Sequence, residues 1–238
     1  MVTCPAGPSA PPNRPPTRHS QEAEKTRMLN TFARSAVSKV ADPVGRSLLR
    51  VGLSPDAVTL IGTAGVVAGA VVLFGLGELF AGTLVITAFV LMDLVDGAMA
   101  RARGYSTDFG VVLDAGCDRV ADGAVFGAIA YYCFTRADAP DIGVAALVCL
   151  VTAQVISYIK ARADSVNLPI GGALAERAER NLLGLVGTGL AGLGVPHALA
   201  VLLWVLAAAS VVTVVQRMLQ VRQAYLARAT TDPVDQAQ

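Results

Sequence analysis

The sequence predicts an all-α integral membrane protein with six transmembrane helices and an N-terminal amphipathic juxtamembrane helix. Hydrophobic residues make up 54% of the 238 positions, and the mean hydropathy is +0.56, which is high for a soluble domain. Several apolar runs reach the length of about 20 residues that a helix needs to cross a bilayer. Basic residues gather at alternate ends of these runs, which indicates that successive helices cross in opposite directions.

The beginning of the chain is expected to lie outside the membrane. Residues 1–24 are rich in proline and polar residues, so we predict a disordered N-terminal tail. The membrane domain then covers residues 25–222 and opens with the juxtamembrane helix over about 28–50. This segment places Met28 and Phe32 among basic residues, a pattern typical of a helix on an anionic membrane surface. A basic linker without fixed structure is the alternative.

The spans follow from the apolar runs and from the turn residues between them. Ser54 is placed to cap the first helix, and Pro55 suits its first turn. The uncharged run from Asn181 to Val215 is too long for one crossing, and the segment 192–197 divides it. The predicted spans are 56–76, 79–101, 109–135, 142–160, 177–193 and 196–221, and residues 223–238 form a polar C-terminal tail.

The distribution of charge predicts the orientation. Arg136 is the one basic residue in the loops of one side, while the loops of the other side hold many. By the positive-inside rule, both termini are cytoplasmic and the protein is a multi-pass protein of the cell inner (plasma) membrane. A formal net charge of +1 gives no sign of a nucleic-acid partner, and we expect none.

Residues 93–122 hold six aspartates at the adjoining ends of two apolar helices. The first two are three residues apart and the last three are four apart, so each of these sets shares one helix face. Carboxylates crowded in a partly apolar site require cations. Because no His or Cys has ligand spacing, the oxygen donors favour Mg²⁺, or Mn²⁺, and two such ions suit phosphoryl transfer. The six are Asp93, Asp96, Asp108, Asp114, Asp118 and Asp122.

The same stretch resembles the signature of a known family. The pattern Asp93-x₂-Asp96-Gly97-x₂-Ala100-Arg101-x₈-Gly110-x₃-Asp114-x₃-Asp118 is similar, at every fixed position, to that of the CDP-alcohol phosphotransferases. The resemblance extends over roughly residues 28–222. It implies a metal-dependent phospholipid synthase that transfers a phosphoalcohol group and releases CMP. It also implies a homodimer.

The resemblance assigns roles to individual residues. It implies two metal ions, with Asp118 both as a ligand and as the general base that takes the proton of the acceptor hydroxyl. Asp56 occupies a position at which members of the family often have an asparagine. Thr107 could cap the third span or touch the nucleotide, and we favour capping. The implied metal ligands are Asp93, Asp96, Asp114 and Asp118. The implied nucleotide and diphosphate contacts are Asp56, Thr59, Gly97, Ala100, Arg101 and Thr107.

A further resemblance concerns the acceptor. The segments 117–123, 157–162 and 176–180 are similar to those of the actinobacterial phosphatidylinositol phosphate synthases. This implies CDP-diacylglycerol as donor, inositol 3-phosphate as acceptor, and cations that hold the acceptor phosphate. Positive-inside anchoring and a local Arg119–Asp122 pair are the structural alternatives. The candidate acceptor residues are Arg119, Ser157, Lys160, Arg162, Arg177 and Arg180.

Two other functions remain open at this point. A phosphatidylglycerophosphate synthase would use glycerol 3-phosphate, which is also anionic. A divalent-cation transporter would also place carboxylates in a membrane. The clustering of the aspartates at one face, beside arginines, favours the phosphotransferase.

Overall fold

The computed structural model of the protein describes residues 43–103, 107–172 and 177–231, without the side chains at positions 93, 94, 230 and 231. Within these ranges every regular element is a helix. The predicted disordered tail lies outside the described residues, as does most of the juxtamembrane segment, of which 43–50 are helical.

Six long helices follow one another along the described chain. Their bounds lie within a few residues of the predicted spans, except that the last continues into the predicted polar tail. They are α1 (Pro55–Gly69, continued by a π-helical turn over Ala70–Phe74), α2 (Leu79–Arg103), α3 (Asp108–Thr135), α4 (Pro140–Ser165), α5 (Arg177–Gly192) and α6 (Ala198–Thr231).

Four of these helices are long and apolar enough to cross a membrane: Pro55–Phe74, Leu79–Arg103, Pro140–Ser165 and Ala198–Ala229. Helix α3 has 28 residues, but its first half carries several aspartates and Arg119. Helix α5 has 16 residues, which is shorter than the roughly 20 that span a bilayer. Among the described residues the structure is therefore all-helical, and four helices are candidates to cross a membrane.

Local capping explains where two helices begin. The Ser54 hydroxyl accepts a hydrogen bond from the Ala57 N–H at 3.2 Å, and Pro55 occupies the first turn, as predicted. At α3, the Thr107 hydroxyl accepts from the Gly110 N–H at 3.0 Å. Thr107 therefore has the capping role that its position favours, and it fixes the entry of α3 into the site.

Glycines allow α1 to pack closely on α2. A Cβ placed on Gly65 would lie 2.4 Å from the Phe89 ring, and one on Gly69 would lie 3.2 Å from Ile86. Gly62 approaches the carbonyl of Phe89 in the same way, at 3.5 Å. The glycine face of α1 is thus the face that meets α2.

The packing brings together one end each of α1, α2 and α3. Helix α1 contacts both α2 and α3, and α6 contacts both α4 and α5. Because successive helices are antiparallel, the start of α1, the end of α2 and the start of α3 meet at one face. The core beneath is apolar, and the free thiols of Cys117, Cys133 and Cys149 are buried, as expected for small hydrophobic residues.

Candidate active site

A cavity of about 260 Å³ opens where α1, α2 and α3 meet. It gathers most of the residues predicted to contact the nucleotide, together with two predicted metal ligands. From the first set it is lined by Asp56, Thr59, Gly97, Ala100 and Thr107, and from the second by Asp96 and Asp114. Arg103, which is not among the predicted site residues, also lines it.

Asp96 is held in place from α1. Its side chain is buried, and its Oδ2 accepts a hydrogen bond from the Thr59 hydroxyl at 2.6 Å. Charge-assisted hydrogen bonds of this length are among the stronger ones in proteins. Thr59 therefore orients a carboxylate that faces the cavity, while Asp114 on α3 is exposed on the opposite wall.

Small residues let polar groups approach the backbone. A Cβ on Gly110 would lie 3.2 Å from Asp56 Oδ1 and 3.0 Å from Thr107 Oγ1, so the Asp56 carboxylate lies directly against α3. On α2, Arg101 Nη1 is 3.5 Å from the position of a Cβ on Gly97. The guanidinium of Arg101 thus lies over the small residues that precede it.

A second polar cluster lies one turn further along α3. Arg177 of α5 places Nη2 at 2.7 Å from Asp118 Oδ1 and Nε at 3.6 Å from Asp122 Oδ1. Arg119 lies 3.4 Å from Asp122 Oδ2 and 3.9 Å from Asp118 Oδ2. Two carboxylates and two guanidiniums are therefore interleaved where α3 meets α5.

Arg119 connects this cluster to α4. Its Nη1 hydrogen-bonds the Ser157 hydroxyl and the carbonyl of Ala153, the latter at 3.3 Å. In return, Gln154 Nε2 donates to the Arg119 carbonyl at 3.1 Å. Arg119 thus forms the local pair with Asp122 and also joins Ser157, its predicted partner in acceptor binding.

The other three acceptor candidates lie around this cluster. Lys160 and Arg162 are exposed on the last turns of α4. Arg180 is 1% exposed, and its charge interacts with those of Asp122, Arg119 and Arg177. It therefore lies behind Arg177, inside the bundle, whereas Arg177 and Arg119 are partly exposed.

A sequence model of the CDP-alcohol phosphatidyltransferase family matches residues 53–216, which include both polar clusters. The chain belongs to this family. The match spans more than half of the chain, so the helices described above form the family domain.

Named relatives are similar over most of the chain. The phosphatidylinositol phosphate synthase of Mycolicibacterium smegmatis is 51% identical over 200 residues, which is 82% of this chain and 90% of that protein. The enzyme of the same name from Mycobacterium tuberculosis is 52% identical over 194 residues, which is 80% of this chain and 89% of the relative.

Solved structures are similar as well. The crystal structure of the Mycobacterium tuberculosis phosphatidylinositol phosphate synthase with CDP-DAG bound is 50% identical, with a TM-score of 0.74 over 77% of this chain and 94% of that chain. The structure of the same enzyme in complex with manganese and citrate is 50% identical, with a TM-score of 0.73 over 76% of this chain and 88% of that chain.

Three of the four predicted metal ligands can be located, since the side chain of Asp93 is outside the described residues. Among the side chains that are described, no group of three or more Asp, Glu, His or Cys residues is placed to hold an ion. Asp96 and Asp114 nevertheless face one cavity, and Asp118 follows Asp114 by one turn. These donors are all carboxylate oxygens, which fits Mg²⁺ or Mn²⁺.

Two polar residues of the cluster were not predicted from the sequence. Asn181 Nδ2 donates to Asp122 Oδ1 at 3.3 Å, and Gln154 holds the backbone of Arg119. Asn181 follows Arg177 by four residues and so shares its helix face. That spacing could have identified it, whereas no local pattern places Gln154 opposite α3.

Proposed function

We propose that this protein is a phosphatidylinositol phosphate synthase, which transfers the phosphatidyl group from CDP-diacylglycerol to inositol 3-phosphate and releases CMP. The observation that supports this acceptor is that Arg177 and Arg119 both lie beside Asp118, and that Arg119 also hydrogen-bonds Ser157. Guanidiniums beside a general base suit an alcohol that brings its own phosphate. The relatives of that name support the same assignment.

The cavity between α1, α2 and α3 is proposed to bind the CDP part of the donor. Gly97 and Ala100 give room for the diphosphate beside the backbone, and Arg101 can bridge two phosphate oxygens. Thr107 uses its oxygen as an acceptor for the helix cap, so its O–H remains available to the nucleotide. Asp56 can accept from the cytidine amino group.

The metal site is proposed to comprise Asp93, Asp96, Asp114 and Asp118, holding two Mg²⁺ ions, with Mn²⁺ as the alternative. When bound, such ions neutralise charge on the diphosphate. The Thr59 hydrogen bond orients the Asp96 carboxylate, which lines the cavity. The manganese complex of the Mycobacterium tuberculosis relative supports a divalent ion.

Asp118 is proposed as the general base. It takes the proton of the acceptor hydroxyl while that oxygen attacks the β-phosphorus of the donor, and the bond from this phosphorus to the CMP oxygen breaks. Arg177 holds Asp118 at 2.7 Å before the acceptor arrives. The acceptor phosphate would attract Arg177 and Arg119, which releases Asp118 for proton transfer.

The acyl chains of the donor are proposed to lie between α2 and α5. A groove of about 690 Å³ runs there, is lined mainly by apolar side chains such as Leu91 and Leu182, and includes Arg177. A groove that is open to lipid along its length would let a diacylglycerol stay in the bilayer while its head reaches the polar cluster.

We propose that all six helices cross the inner membrane, with the polar clusters and both termini on the cytoplasmic side. In α3 the charged half would line the site, so only its apolar half, which ends at Thr135, would meet lipid. Residues 43–50, which are helical, would belong to the juxtamembrane helix. A homodimer is proposed from the family resemblance.

Membership of the family decides between enzyme and transporter, but the acceptor requires an assay. The purified full-length chain is given labelled CDP-diacylglycerol, Mg²⁺ and, in separate reactions, inositol 3-phosphate, inositol, glycerol 3-phosphate or glycerol. We expect CMP and a labelled phospholipid with inositol 3-phosphate. Product with glycerol 3-phosphate instead would make the protein a phosphatidylglycerophosphate synthase.

A further inference from the structure

Asp122 is a buried carboxylate at the back of the second polar cluster. Its side chain is 1% exposed, whereas that of Asp118, one turn earlier on α3, is 18% exposed. On its inner side the cluster borders a cavity of about 10 Å³, which Asp122 lines together with Arg177 and Asn181. A space of this size holds one water molecule at most. Asp122 therefore lies where an acceptor alcohol does not reach it.

Each oxygen of Asp122 faces a cation of the cluster. Oδ1 lies 3.6 Å from Nε of Arg177 and accepts a hydrogen bond from Nδ2 of Asn181 at 3.3 Å, both on α5. Oδ2 lies 3.4 Å from Nη2 of Arg119. A buried charge is costly unless it is paired and hydrogen-bonded, and these contacts provide the pairing. Asp122 thus joins α3 to α5 and contacts both arginines that are proposed to meet the acceptor phosphate.

The guanidinium of Arg177 is held at two points. Its Nε faces the buried Asp122, and its Nη2 is 2.7 Å from the partly exposed Asp118. Arg119 is shared between the same two carboxylates, at 3.4 Å and 3.9 Å. Because Asp118 is the proposed base and metal ligand, its contacts to the arginines have to open when the acceptor and the metal bind. The contacts to Asp122 can persist meanwhile, since no substrate fits beside it.

We propose that Asp122 is a positioning residue that keeps Arg177 and Arg119 at the site while Asp118 exchanges its arginine contacts for the acceptor and the metal. Without the charge of Asp122, the two partly exposed guanidiniums would turn to Asp118 or to solvent. The inference rests on the proposed function, because that function assigns the phosphorylated acceptor to these arginines and the proton transfer to Asp118. Asp122 acts through them and does not contact the acceptor.

The test compares Asp122→Asn with Asp141→Asn in the full-length enzyme. The amide keeps the shape of the side chain and removes its charge. Asp141 is exposed in the first turn of α4 and loses the same charge away from the cluster. Asp122→Asn should raise the KM for inositol 3-phosphate about tenfold, the factor that corresponds to losing one charged hydrogen bond, with the donor KM unchanged. Asp141→Asn should behave as the wild type.

A double-mutant cycle separates positioning from a general loss of stability. If Asp122 acts through Arg177, Asp122→Asn should add little to the acceptor KM of Arg177→Gln, whereas independent effects would multiply. An unchanged acceptor KM in Asp122→Asn, equal rises of both KM values, or effects that multiply in the double variant would overturn the proposal.

A second variant serves if Asp122→Asn does not fold. Asn181→Leu removes the hydrogen bond to Asp122 Oδ1 and keeps the branching of the side chain. A rise of the acceptor KM that exceeds any rise of the donor KM supports the proposal, and any other result contradicts it.

The two proposals fail in different ways. If the wild type uses glycerol 3-phosphate and not inositol 3-phosphate, the proposed function is wrong, and the same comparison is made with glycerol 3-phosphate. If the wild type uses inositol 3-phosphate and Asp122→Asn keeps the wild-type acceptor KM, the proposed function stands and the role of Asp122 is wrong. A wild type that uses neither phosphorylated acceptor contradicts both.

Discussion

Arg177 and Asp118 form an ion pair of 2.7 Å between α5 and α3. The pair joins a cation proposed to hold the acceptor phosphate to the carboxylate proposed to remove the acceptor proton. Both side chains are partly exposed, so a ligand can reach them. Under the proposed function, a site built in this way would couple the arrival of an anionic acceptor to the release of its base.

Replacing Asp118 by Asn tests the base. Because the amide cannot take a proton, turnover with CDP-diacylglycerol should fall by at least the roughly 10²–10⁴-fold that general-base catalysis contributes. CMP release is the measurement, and a melting curve in detergent checks the fold. Asp108→Asn is the matched control, since Asp108 is exposed in the first turn of the same helix. Wild-type turnover in Asp118→Asn would remove Asp118 from its role.

Replacing Arg177 by Gln tests the coupling. The acceptor KM should rise about tenfold or more while the donor KM changes little, because the lost contact is to the acceptor phosphate. CMP release without acceptor should also rise relative to transfer, since Asp118 is no longer restrained. Arg177→Lys should retain part of the acceptor affinity. A larger effect on the donor KM would move Arg177 to the nucleotide or lipid site.

Replacing Thr59 by Val tests the support of Asp96. The change removes the 2.6 Å hydrogen bond to a buried carboxylate. We expect a loss of about tenfold in kcat/KM and a higher Mg²⁺ requirement, measured by titrating the metal in the transferase assay. Thr63→Val, one turn along α1, is the control, and Thr59→Ser should restore activity. An unchanged Mg²⁺ requirement in Thr59→Val would count against Asp96 as a metal ligand.

Replacing Gly65 by Ala tests the packing of α1 on α2. The new methyl group would lie 2.4 Å from the Phe89 ring, so either the ring or the two helices must shift. Overpacking of this kind costs about 1–3 kcal/mol and should lower the melting temperature. Gly127→Ala is the control, because a Cβ there meets nothing within 4 Å. A Gly65→Ala protein that melts with the wild type would show that this contact is looser than described.

The sequence predicted a structural feature best where all of the residues that form it lie on one helix. Spacing placed Asp118 and Asp122 of α3 on one face, where both meet Arg177, and Ser54 with Pro55 marked the start of α1. Both follow from helix geometry and capping alone. The family resemblance, and not spacing, grouped the residues of α1, α2 and α3 that line the cavity.

Contacts between helices that are distant in sequence were harder to predict. Spacing shows which residues share a face but not which faces meet, so it could not pair Arg177 with Asp118 or place Gln154 under Arg119. Nor did it separate Arg180 from Arg177, although they are three residues apart, since one is buried and the other lines the cluster. The continuation of α6 was missed because its end is polar; in that part of the helix Arg228 donates a hydrogen bond to the carbonyl of Val166.

The most direct test of the account is the ratio of kcat/KM for inositol 3-phosphate to that for unphosphorylated inositol, measured in the wild type and in Arg177→Gln. We expect the wild type to favour the phosphorylated acceptor by about 10² or more, as paired guanidiniums on a phosphate allow, and Arg177→Gln to lose most of that preference. A wild type that uses both alcohols equally, or a variant that keeps the full preference, would contradict it.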